Sequence, residues 1–210
     1  ATSTQTTLKS VSNGGHVESA NGHDIVFVDE DNTTLLNFER LNYDPTTGSI
    51  SYFIQSSLYD TQNKEIWMYY GNSAATDQHS TTSPWAASAG YRAVWHLDDY
   101  PNDGGTAKDS TSNSNNLTVN NFQAAGSTAG ETDIAGYINR ADDFDGSDDY
   151  LNRNITDYTG SYTVSAWIKP ATGNQADVSG IFATADSGNN NHMQIYLVND
   201  GGTTCTTDDV

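Results

Sequence analysis

The chain has 210 residues, 35% of them apolar, and its 22 Asp and 5 Glu against 4 Lys and 4 Arg give a net charge of −19. So few cations cannot assemble a basic face, which counts against nucleic acid as a partner. No window approaches the roughly 18 consecutive apolar residues of a membrane helix, so no membrane insertion is expected.

The apolar share falls below the roughly 45–50% of ordinary globular domains. With abundant Thr, Ser, Asn, Asp and Gly, it indicates an all-β, loop-rich fold. The amino terminus, Ala1-Thr-Ser-Thr-Gln5, lacks an initiator Met and the apolar core of a signal peptide, and reads as a mature or excised segment. Cys205 is the single cysteine, which rules out an intrachain disulfide.

In chain order, Ile25–Val28 is a short apolar run after the Asn21-Gly22 turn signal, and Leu35–Tyr43 is a second strand candidate. Ile50, Tyr52 and Ile54 alternate after the turn Asp44-Pro-Thr-Thr-Gly48, and Glu65–Tyr70 stops at Gly71-Asn72. These predict a small β-meander over residues 1–78, joined by hairpin-length connections. Residues 79–90, with Trp85 as the packing residue, read as a linker to a second domain at 91–210. There Tyr91, Ala93, Trp95 and Leu97 alternate along a first strand, and Tyr162, Val164, Ala166 and Ile168 along a later one. Ser179–Thr184 and Met193–Val198 are short strand candidates. Large aromatics dominate burial in sandwiches, so Trp95 and Trp167 are expected in the core.

Two resemblances follow from motifs. Gly14–Phe27, the Phe38-Glu39 pair, the Tyr43–Gly48 turn and Ile66–Asn72 look like a small domain of unknown function found in bacterial and archaeal surface proteins. In that family a further strand region usually stands before the Gly14-Gly15 segment, so the present amino-terminal part is expected to be either divergent or cut away. Val94-Trp-His-Leu97, the loop Ala107–Leu117, Phe144-Asp-Gly146 with its acidic neighbours, and Thr163–Pro170 resemble LamG-like, concanavalin A-type lectin/glucanase domains. That resemblance implies an antiparallel jelly-roll β-sandwich, placed outside the cell. The glycines usual in its Asp-Ser loop are replaced by Ser112, Ser114 and Asn116, and the left-handed turn is expected at Asn rather than Ser. The 120 residues from Tyr91 are fewer than the family uses, so the carboxyl end is expected to be incomplete.

Five carboxylates, Asp142, Asp143, Asp145, Asp148 and Asp149, cluster around Gly146, with Asp109 in an earlier loop. Calcium takes six to eight oxygen ligands from carboxylates and loop carbonyls, so these residues are candidate ligands for a structural calcium ion. The alternative is a solvated acidic hairpin. Glycan recognition needs an aromatic platform with hydrogen-bonding groups beside it. Tyr100, Tyr150 and Tyr158, at loop edges, are the platform candidates.

A glycosidase would need paired carboxylates. The five Glu are isolated, no Glu-x-Asp-x-x-Glu spacing occurs, and no catalytic residue is assigned. The scattered histidines carry no metal motif. Asn32-Thr-Thr, Asn116-Leu-Thr and Asn154-Ile-Thr fit a glycosylation pattern, compatible with a cell surface. The expectation is a non-catalytic extracellular carbohydrate-binding or adhesion module whose partner is a glycan or a surface protein. The competing expectation is a self-assembling filament subunit or spacer whose sheets neighbouring chains complete.

Overall fold

The computed structural model describes residues 6–99, 105–122, 131–154, 161–170, 178–184 and 193–198. It is all-β. The strands are β1 (Val26–Val28), β2 (Phe38–Asp44), β3 (Ser49–Ile54), β4 (Trp67–Tyr69), β5 (Thr106–Ala107), β6 (Leu117–Asn120), β7 (Glu131–Ala135), β8 (Arg140–Asp143), β9 (Tyr150–Asn152), β10 (Val178–Thr184) and β11 (Met193–Val198). Helical structure among the described residues is confined to three-residue 3-10 turns.

Two compact units divide the chain. The first comprises Ala1–Phe144 with Asp149–Thr156, and the second Asp145–Asp148 with Asp157–Val210.

The first unit is organised by the β2–β3 hairpin. Regular alternation along β3 puts Ile50, Tyr52 and Ile54 on one face, yet their partners Tyr43, Arg40 and Phe38 are unevenly spaced along β2. A β-bulge between Arg40 and Asn42 accounts for this. An extra residue on one strand shifts the pleat by one, so Tyr43 returns to the face that Phe38 occupies. That face meets the first core, built from Leu8, Val17, Ile25, Phe27, Leu36 and Phe38, with Tyr43, Ile50, Tyr52, Ile54 and Met68 packed against it. The rings of Phe27, Phe38 and Tyr52 interlock, with centroids 5.1–5.7 Å apart. Burial pushes the pKa of the Tyr52 hydroxyl up to about 12. Leu8 and Val17 come from the amino-terminal segment, which is held by the Tyr43 hydroxyl donating to the Leu8 carbonyl at 2.9 Å.

The four early strands form where expected, but the meander order does not. β1 pairs antiparallel with β4, and β2 with β3, so one pair is nested within the other. Asp24 fixes this closure: its buried carboxylate accepts backbone N–H bonds from Glu18, Ser19 and Gly71 at 2.8–3.0 Å, joining the start of β1 to the end of β4. Burial alone would raise its pKa, and the three backbone donors overcome that and lower it. Gly22 is required in the turn before β1. Its φ is +68°, and a Cβ there would lie 2.9 Å from the Tyr43 ring.

Further along the same unit, β5, β6 and β9 form a three-stranded antiparallel sheet in that order, and β7 pairs with β8. Ala107, Val119 and Phe122 make a second small core with Leu97, Leu117 and Leu151 around it. The Tyr91–Leu97 run, expected as a strand, contributes one bridge, Trp95 to Asp109. Trp95 is half-buried, and its indole N–H donates to the Asn115 carbonyl at 2.7 Å.

In the second unit, β10 and β11 form an antiparallel hairpin with a bulge between Gly180 and Phe182. The Tyr162–Ile168 run, expected as a strand, has no regular strand structure. Trp167, expected in the core, is 73% exposed.

Phe38 is 1% exposed and central to the first core. Phe38→Ala is expected to destabilise the chain by about 3–5 kcal/mol, measured by urea unfolding.

Candidate functional site

The face of the β2–β3 hairpin opposite the first core carries Glu39 and its cross-strand partner Phe53. Glu39 is 3% exposed, and a carboxylate so placed must be hydrogen-bonded or become neutral. Three donors meet it. The Trp85 indole N–H and the His96 Nε2–H both reach Oε2, at 2.5 and 2.8 Å, and the Ser110 hydroxyl reaches Oε1 at 2.9 Å. A carboxylate only accepts, so these contacts fix the His96 tautomer with hydrogen on Nε2. His96 stacks on Phe53 at 5.0 Å between centroids, and Trp85 meets Phe53 edge-on at 4.9 Å. Burial by itself would raise the Glu39 pKa, but the bonds from His96, Trp85 and Ser110 outweigh it and hold the carboxyl below its ordinary 4.5.

Its neighbour Arg40 points to the other side. The guanidinium makes a two-point contact with Asp77 at 2.8 and 3.2 Å, and the Arg40 backbone N–H donates to His79 Nδ1 at 2.8 Å. Residues 77–79, 85, 96 and 110 are thus all tied to two consecutive positions of β2.

Asp109 is buried and serves as the anchor of its loop. Oδ1 accepts the backbone N–H of Val94 and Thr111, and Oδ2 accepts the Thr111 hydroxyl and the Asn115 N–H, all at 2.7–2.9 Å. The left-handed turn of this loop falls on Ser114, with φ 55°, and not on an Asn. A left-handed non-glycine residue costs about 1–2 kcal/mol, which the four bonds to Asp109 offset.

The remaining predicted site residues fall in both units. Asp142 and Asp143 lie on β8, Asp149 directly precedes β9, and Tyr150 opens β9 with half its surface exposed. In the second unit, Asp145 and Asp148 are exposed carboxylates able to meet a cation, and Asp145 accepts the Ser147 N–H at 2.7 Å. Tyr100 and Tyr158 lie outside the described residues.

A set of exposed aromatics in the first unit lies outside the residues that the sequence motifs single out as a site. Trp67 and Tyr69 on β4 are each 46% exposed, and Tyr59 is 44% exposed. The available signal was their spacing: at i and i+2 on a strand, side chains share a face.

A family model described as a domain of unknown function (DUF2341) matches residues 21–109. Neither the curated proteins nor the solved structures compared with the chain gave a match. The matched interval takes in β1–β4, Glu39, Trp85 and His96, and it ends on Asp109. A small domain of unknown function is therefore present, and it includes most of the Glu39 cluster.

Glu39→Ala strands three buried donors and is expected to cost about 3–5 kcal/mol. Glu39→Gln can keep all three contacts without the charge and is expected to cost about 1–2 kcal/mol. Because the folded pKa is lowered, the carboxylate contributes fully above about pH 4.5, and the contribution is lost as pH falls through the folded value. Urea titrations across pH 3–7 should show the gap between wild type and Glu39→Gln closing on the acid side.

Proposed function

We propose that the chain is a non-catalytic extracellular carbohydrate-binding or adhesion module of a surface protein, with its later part built on a LamG-like jelly-roll plan. One observation carries the reading: large aromatic side chains stay at the surface of an all-β fold whose cores draw on other residues. Trp67, Tyr69, Tyr150 and Trp167 are 46–73% exposed. Flat apolar rings beside amides and carboxylates are the means by which proteins hold sugars.

The buried carboxylates support the non-catalytic half of the reading. Glu39, Asp24 and Asp109 are each engaged by three or four donors of their own fold. A carboxylate so engaged is a strut and a poor general acid or base, because its lone pairs are committed before substrate arrives. Net charge of −19 favours neutral glycans or surface proteins over nucleic acid. The chain has no helix, among the described residues, long and apolar enough to cross a membrane.

The test is retention of soluble polysaccharides in affinity gels, with reducing ends assayed in parallel. Retention without new reducing ends is expected. Release of reducing ends would establish a hydrolase, and concentration-dependent assembly without retention would favour a filament subunit.

Calcium is proposed as a structural ion, with the exposed carboxylates Asp145 and Asp148 of the second unit as candidate ligands. A ligand specific to the folded state stabilises it by about 2.7 kcal/mol at a hundred times its Kd. The melting temperature should therefore rise between excess EDTA and millimolar calcium at constant ionic strength, and an unchanged value would assign these carboxylates to a solvated surface.

A further inference from the structure

Strand pairing places the exposed aromatics in a defined array. Phe27 and Met68 are partners across β1 and β4 and both join the first core, against which Val26, the partner of Tyr69, also packs; Trp67 and Tyr69, on the alternate face of β4, are each 46% exposed. Val28 pairs with Trp67 on one side and bridges Leu35 on the other. Directly paired residues share a face, so Leu35, Val28 and Trp67 form a row across three segments, with Tyr69 one step further along β4. Leu35 is 47% exposed. The step between Trp67 and Tyr69 is about 6.7 Å, two residues of strand, on the scale of a pyranose ring.

The connection between Val28 and Leu35 gives this face a polar wall. Asp31 accepts the N–H groups of Thr33 and Thr34 and the Thr34 hydroxyl at 2.6–2.9 Å, and the Asp29 N–H donates to the Thr34 carbonyl at 2.8 Å. Held this way, Asn32 takes a left-handed φ of 59°. The Tyr69 hydroxyl donates to Asn32 Oδ1, while the amide nitrogen carries two further donors. Tyr59 closes on the same turn, its hydroxyl donating to Glu30 at 2.6 Å. Lys64 pairs with Asp29 at 2.9 Å and sits 5.5 Å from the Tyr59 ring centroid.

We propose that Trp67, Tyr69 and the turn of residues 29–34 form a binding site for an uncharged oligosaccharide. This rests on the reading of the chain as a carbohydrate-binding module and moves the site from Tyr150 to β4. Each element matches one property of such a ligand. The two rings offer planes to the C–H faces of successive sugars, and Asn32 and Glu30 offer donor and acceptor groups to hydroxyls at the rim. The turn is fixed by its own hydrogen bonds, so little ordering entropy is lost on binding.

Charge selects against the other glycans. The whole chain repels uronate or sulfate groups at net −19, and Lys64, the cation beside the site, is committed to Asp29 and Tyr59.

The probes are cellohexaose, xylohexaose, laminarihexaose and mannohexaose, with oligogalacturonate as the anionic comparison, titrated calorimetrically into the intact chain. Binding of at least one neutral hexasaccharide is expected, with oligogalacturonate silent. Trp67→Ala should weaken that binding by about tenfold or more. Asn32→Gly, which accepts the same backbone angle, should weaken it several-fold. Unchanged melting temperatures verify that both variants fold. A hexasaccharide that binds with wild-type affinity to both variants overturns this site and leaves the carbohydrate-binding reading standing. Silence of the whole panel overturns both. A dimer that sediments in wild type and is lost in Trp67→Ala, without glycan binding, identifies the face as a self-association surface and also overturns the proposal.

Discussion

A buried carboxylate with three donors is the interaction on which the first unit depends. Glu39 sits on the side of the β2–β3 hairpin facing away from the Phe38 core, where a charge without partners would cost several kcal/mol. Trp85, His96 and Ser110 supply those partners from 46 to 71 positions further along the chain. None of the three reaches Glu39 unless its own segment is in place, so the bonds enforce one arrangement of residues 85–110 against the hairpin. Apolar packing alone would tolerate several.

Local pattern was legible wherever a segment's own residues decide its state. The alternation of Ile50, Tyr52 and Ile54, the apolar run before Val28, and the turn signals at Asn21-Gly22 and Asp44–Gly48 all correspond to strands and turns in the structure. Pairing was not legible, because a period-2 pattern says which face is apolar and nothing about which strand lies alongside. The bulge after Arg40 shows the same limit: Leu41 has no unusual chemistry, and the extra residue is evident only when β2 is set against β3. The Tyr162–Ile168 run has a strand's pattern without a strand's ladder.

The site was less legible than the fold. In the sequence Glu39 stands out only in the Phe38-Glu39 motif and as one of five isolated Glu, because the partners that give it a role are distant along the chain. Asp109 reads in the sequence as a candidate metal ligand, and the backbone N–H groups that engage it carry no sequence signature. Trp67 and Tyr69 belong to the apolar run Glu65–Tyr70, which does contain a strand. Whether such a run turns its aromatic or its Met side inward depends on the partner strand, and Phe27 settles that by pairing with Met68.

The nested strand order also constrains how the chain is made. A ribosome delivers β1 before β2 and β3, yet apart from its bridge to Leu35, β1 has no strand to pair with until Trp67–Tyr69 has emerged. The β2–β3 hairpin can close as soon as Ile54 is released, leaving Phe38 and Tyr52 without the ring of Phe27 fixed over them until β4 arrives. Glu39 waits longer still: its full set of three donors exists only once residue 110 is outside the exit tunnel. Synthesis therefore proceeds from a hairpin to a closed core and ends with the burial of charge, so the costliest desolvation comes only after a scaffold exists to repay it.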